Sequence, residues 1–137
     1  MLLLRSVLAH APDATCCEGW IDEEFAAFCG GEVPAAFGLE LIAQTAAVHH
    51  RLVQRFAGAA HQRAARGLLL GSRRMELGAR VFPVARPLRV KIIGGAAAPG
   101  PGGLIRFEGS VSAEDGTILA RGDATVLEMR SDEAQLA

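Results

Sequence analysis

The chain has 137 residues, half of them apolar, and 21% are charged, with a formal net charge of -1. A length of this order suits one ordinary domain with a sizeable core. The charge balance excludes the basic excess expected of a nucleic-acid binder. The cysteines, Cys16, Cys17 and Cys29, are odd in number and form no CxxC pair. A disulfide framework and a zinc site are therefore not expected, and a reducing cytoplasm fits better. Met1-Leu2-Leu3-Leu4 precedes Arg5, the wrong order for a signal peptide, and no apolar run reaches transmembrane length.

In chain order, the first segment, residues 1–21, is apolar with β-compatible pieces, and residues 13–21 form a candidate strand. A short acidic and aromatic stretch and a Gly30-Gly31 loop follow. Pro34 then opens the strongest element, a helix expected over residues 35–57 with Gly58 as its stop. Phe37, Leu41, Thr45 and Val48 fall on one stripe, and Leu39, Ile42, Ala46 and Val53 on a neighbouring one. The first half of this helix is apolar nearly all round, so burial on most sides is expected.

Beyond an Arg- and Ala-rich connection the period becomes strand-like. Strands are expected over residues 67–77, 87–93, 104–112 and 117–129. In the second, Leu88, Val90 and Ile92 alternate with Arg89 and Lys91. In the third, Ile105, Phe107, Gly109 and Val111 share a face. Glu114-Asp115-Gly116 makes a tight hairpin turn. Residues 94–103 form a Gly- and Pro-rich loop, and the polar tail from Arg130 is expected to fray.

One early strand, one long buried helix and an antiparallel meander must bury a sheet face and wrap a helix at once. A curled antiparallel sheet around a central helix does both. The expected fold class is α+β, as a single hotdog domain over residues 1–137. Such sheets join edge to edge in dimers, which removes an exposed strand edge.

The run Pro34-Ala-Ala-Phe-Gly-Leu-Glu-Leu-Ile-Ala-Gln-Thr45 resembles the helix start of bacterial 3-hydroxyacyl-ACP dehydratases. Met1-Leu-Leu-Leu4, Gly38-Leu-Glu-Leu-Ile-Ala-Gln-Thr45 and Gly67-Leu-Leu-Leu-Gly-Ser-Arg-Arg74 are most similar to the dehydratases of aryl-polyene pigment clusters. The resemblance covers about four-fifths of the chain. It implies that Glu40 sits at the acidic catalytic position and that Gln44 matches the family glutamine. It also implies an acyl substrate carried on acyl carrier protein or coenzyme A, with no cofactor and no metal, in a homodimer or a hetero-oligomer with another hotdog subunit.

Two departures from the family pattern matter. The position of the usual histidine, about fourteen residues before the acid, is Ala26 here. The Pro-His pair that precedes Met-Leu-Leu-Leu in the pigment-cluster relatives is absent, and Arg5 stands where Asp is expected. Either the reading frame starts upstream or the histidine is missing.

Dehydration needs a base at C2, an acid for the leaving 3-hydroxyl, and stabilisation of the thioester oxygen. A helix N-terminus supplies the third. Gly38 is expected to admit substrate to that backbone, with Phe37 and Leu41 as substrate neighbours. Glu40 is expected to be buried and so raised in pKa. Gln44, at i+4, shares its face and can orient the carboxyl. His10 is the N-terminal candidate for a base, whereas His49 and His50 fall too far along the helix and His61 reads as loop. Arg73 and Arg74, with Arg63 and Arg66, are candidates for a rim meeting an acidic carrier protein or a pantetheine phosphate; a solvated strand face is the alternative. Three readings result: dehydratase, hotdog thioesterase, and a non-catalytic subunit that partners an active dehydratase.

Overall fold

The computed structural model describes residues 2–56, 66–94 and 103–129. Gly58, His61, Arg63, most of the Gly/Pro loop and the tail from Arg130 lie outside these residues, and Arg66 is described by its backbone alone.

Strand β1, Leu4–Ala11, turns tightly into β2, Ala14–Trp20. A short helix, α1, spans Glu23–Phe28, and its N-cap Asp22 accepts the Phe25 amide at 2.6 Å. Six residues give no helical period to read, so only the cap marks this element in the sequence. Pro34 is extended and precedes a 3-10 turn, Ala35–Phe37, which runs into the long helix α2, Gly38–Phe56. The expected helix is thus present, with its first turn tightened.

The remaining strands are β3, Arg66–Gly71; β4, Met75–Leu77; β5, Pro87–Gly94; β6, Leu104–Ala113; and β7, Ile118–Met129. The single strand expected over 67–77 is therefore two. The break falls at Gly71, whose φ of 153° and the register shift before it end the ladder.

All seven strands form one antiparallel sheet in the order β1-β2-β5-β6-β7-β3, with β4 also on β7. The expected meander holds for β5-β6-β7. β3, however, leaves its sequence neighbours and pairs beyond β7, as Leu69 opposite Val126. The sheet does not close. β1 and β3 are its two edges, and α2 lies in the sheet's curl, in contact with β1, β2, β5, β6 and β7.

The alternation in β5 and β6 is realised: Leu88, Val90, Ile92, Ile105, Phe107 and Val111 are all buried. They meet Leu41, Ile42 and Ala46 of α2. A Cβ on Gly109 would lie 2.7 Å from Ile42, so this glycine lets the helix seat against the sheet. Burial of α2 is uneven. Leu41, Ile42, Thr45, Ala46 and His49 are buried, while Phe37, Glu40 and Ala47 remain exposed. The apolar first half is thus buried on most sides, as expected, and keeps an open face at Glu40 and Ala47. No helix among the described residues is long and apolar enough to cross a membrane.

Candidate functional site

The first turns of α2 present Glu40 and Gln44 on the outward face. Gln44 Nε2 donates to Glu40 Oε1 at 3.0 Å. Gln44 Oε1 accepts the main-chain N–H of Leu3 at 2.9 Å. Leu3 is buried, and its own carbonyl accepts the Trp20 N–H at 2.9 Å. The start of the chain is therefore tied to β2 on one side and, through Gln44, to the Glu40 carboxylate on the other. The i, i+4 spacing of Glu40 and Gln44 was legible in the sequence; the Leu3 anchor was not, because 41 residues separate its two ends.

Glu40 itself is exposed. The burial expected of it is absent in the single chain, because the open face of α2 has no cover there. Phe37 stands beside it, 37% exposed, edge-on to Phe25 at 5.7 Å. Gly38 and Leu41 point elsewhere. A Cβ on Gly38 would lie 2.7 Å from Ala120 Cβ, with Phe82 and Val111 close by. The glycine thus seats the helix start on β7, and its missing side chain leaves no opening for a ligand. Leu41 is fully buried in the core.

Arg73 and Arg74 lie in the turn between β3 and β4, and their role there is set by Asp123. This β7 carboxylate is 5% exposed. Its Oδ1 accepts from the Ser72 hydroxyl and from the Arg73 and Arg74 amides, each at 3.0 Å. Its Oδ2 faces Arg106 at 3.2 Å. The Arg74 backbone N–H leads these donors in holding the carboxyl below its ordinary range, with Ser72, Arg73 and Arg106 adding to it, against desolvation. The Arg74 guanidinium pairs with Glu76 at 2.6 Å on the surface.

A hollow of about 510 Å³ lies nearby, lined by Arg74, Arg106, Arg121, Glu76, Glu108 and Asp123 among others. Since Phe107, Gly109 and Val111 face α2, the alternation puts Arg106 and Glu108 on the sheet's other side. This hollow is therefore separate from Glu40, and two of its arginines are already paired with its acids.

His10 does not join Glu40. Its Nδ1 is 2.8 Å from Thr15 Oγ1, which is in turn 2.7 Å from His49 Nδ1. His49 is nine positions beyond Glu40 on the same helix, hence about 13 Å along the axis and on the opposite face. Thr15 and His49 are buried, and His49 Nε2 has no hydrogen-bond partner among the described residues. Sequence reasoning gave Thr15 no role and saw no link between these histidines. Among the described residues no group of three or more His, Cys, Asp or Glu could hold a metal ion.

The family model for ApeP-like proteins, described as ApeP dehydratase, matches residues 1–137. No curated protein matches the sequence. Among solved structures, the chain is similar to the dehydratase heterocomplex ApeI:P from Xenorhabdus doucetiae, with TM-score 0.80, 21% identity, 98% of this chain and 88% of that one. It is also similar to AziG from S. sahachiroi, with TM-score 0.64, 10% identity and coverage of 93% and 91%. A zebra fish thioesterase superfamily member 2 matches with TM-score 0.60, 14% identity and coverage of 90% and 79%. At these identities the structures establish the hotdog fold.

Proposed function

The chain belongs to the ApeP-like dehydratase family, and we propose from this premise that it removes water from a 3-hydroxyacyl thioester at a site completed by a second hotdog subunit. The observation that carries the reading is the Leu3–Gln44–Glu40 chain of hydrogen bonds on the open face of α2. It holds a carboxyl in one orientation at a surface that a further subunit can cover. Covering it would supply the desolvation that the single chain lacks.

In this reading Glu40 protonates the departing 3-hydroxyl. A base removes the C2 proton, and the electron pair forms the C2–C3 double bond as water leaves. The positive dipole end at the start of α2 favours the charge on the thioester oxygen, while its Gly38 N–H is already bonded within the 3-10 turn. No histidine among the described residues lies at Glu40, since His10 and His49 sit toward the other end of the helix and His50 follows His49 along it. In this reading the base is supplied by the second subunit, and the likeness to a dehydratase heterocomplex supports that source. The free edge of β3, with Leu70 52% exposed, is a suitable seam for pairing with that subunit.

The substrate arm is phosphopantetheine, on an acyl carrier protein or coenzyme A, and the reaction requires no further cofactor. Arg73 and Arg74 border the β3 end of the seam and are the nearest candidates for an acidic carrier.

Mass spectrometry of a 3-hydroxyacyl-ACP incubated with the protein tests the reaction. Loss of water that disappears in Glu40→Gln supports it. Release of free acid would make the protein a thioesterase, and intact substrate under every pairing and with an upstream-extended chain would leave it a non-catalytic subunit.

A further inference from the structure

β1 and α2 are joined at two places. At one end Leu3, just before β1, holds Gln44. At the other, His10 of β1, Thr15 of β2 and His49 of α2 form one hydrogen-bonded chain. Thr15 has a single hydroxyl proton, so it can donate to only one imidazole and accepts from the other, the direction being set by the ring tautomers. His10 is half-buried and stacks on Phe56 at 5.6 Å, while His49 is 2% exposed and edge-on to Phe107 at 6.0 Å.

We propose that the His10–Thr15–His49 chain is a pH-sensing clamp, closed while the buried His49 ring is neutral, that fastens the C-terminal half of α2 to the β1–β2 hairpin. Protonating His49 fills both of its nitrogens with hydrogen. Nδ1 can then only donate to Thr15, and Nε2 carries a charged donor into a buried place with no partner among the described residues. The two imidazole centroids are 5.4 Å apart, so charge on one opposes charge on the other.

The surroundings favour the neutral ring. Burial pushes the His49 pKa below its ordinary 6.5, His10 and then His50 push the same way, and Asp13 in the hairpin turn pulls it back. From β5 and β6 the helix meets buried Ile92 and Phe107, and the alternation sends Lys91 and Glu108 to the far side of the sheet. On α2 itself Arg51 and Arg55 are exposed. A basic group whose folded pKa is depressed binds its proton more readily when unfolded. Stability is thus full above pH 6.5 and falls as the pH drops from there toward the folded value.

Urea unfolding between pH 7.5 and 5.5 tests the clamp, with His49→Gln as the variant that keeps a hydrogen-bonding side chain but cannot titrate. The wild-type unfolding constant should rise below pH 6.5 by up to about tenfold per pH unit, and the variant should lose that rise. The same rise in both proteins would overturn the proposal. Should the variant not fold, nitrogen NMR of the wild-type rings decides, because a His49 that takes its proton at pH 6.5 or above contradicts the clamp. Any loss of turnover on acidification rests additionally on the dehydratase reading. The unfolding and NMR measurements do not, so the two ideas can fail separately.

Discussion

Gln44 acts at the scale of single hydrogen bonds. Its carbonyl is engaged by Leu3 and its amide by Glu40, so it transmits the placement of the chain start to the carboxyl. Leu3→Pro removes that one N–H and leaves a residue compatible with an extended backbone. We expect turnover to fall by up to about a hundredfold, the scale of misplaced catalytic groups, with KM little changed. Steady-state kinetics check this, and an unchanged kcat would remove Leu3 from the site. Glu40→Gln should lose more, roughly 10²- to 10⁴-fold, because the acid itself is gone. Glu40 and Gln44 could be read from the sequence because i, i+4 on one helix is a local relation. Thr15 and His49 could not, since they are 34 residues apart and meet only through the fold.

Elements are seated by small residues and held by a few buried polar groups. Gly38 and Gly109 bring α2 against Ala120 and Ile42 against β6, with no room for a Cβ at either place. Gly38→Ala should cost about 1–3 kcal/mol by overpacking, seen as a lower urea midpoint, and would also shift the helix start that carries Glu40. Asp123 fastens the β3–β4 turn through three donors. Asp123→Ala should cost about 1–3 kcal/mol by stranding them, and thermal unfolding measures it. Because the carboxyl is held low, its stabilising effect is present at neutral pH and is lost as the pH falls below the ordinary aspartate range through its folded value.

The strands β5 to β7 and the helix α2 were legible because their alternation and period are long and their turns carry glycine. β1 was blurred because it is an edge strand with mostly exposed side chains and two register shifts, which break the period of two. The β3–β4 break depends on the backbone at Gly71, where a glycine alone does not announce a change of direction.

The whole molecule is an open sheet around a helix with one face uncovered. Leu70 is exposed at the β3 edge, and Glu40 and Ala47 lie along the open side of α2, with Phe37 exposed in the turn just before it. The arrangement accounts for a carboxyl held in place yet unburied, if a second subunit pairs along β3 and closes over the helix start. Leu70→Asp, which puts a charge on that edge, should weaken association by about tenfold or more without lowering the stability of the single chain. Sedimentation and urea unfolding read the two effects, and unchanged association would place the seam elsewhere. The sequence shows the apolar strand and the acidic helix start separately, but that β3 forms an edge follows from its crossing to the far side of β7.

The most direct test of the two-subunit site is turnover of a 3-hydroxyacyl-ACP as a candidate hotdog partner is titrated into a fixed amount of this protein, with assembly mass followed in parallel. The account predicts that water loss rises with formation of the mixed assembly, or is already present in a self-paired dimer, and that Glu40→Gln abolishes it while assembly persists. Full turnover by a demonstrably monomeric wild-type chain, or turnover that survives Glu40→Gln in the assembled complex, would contradict it.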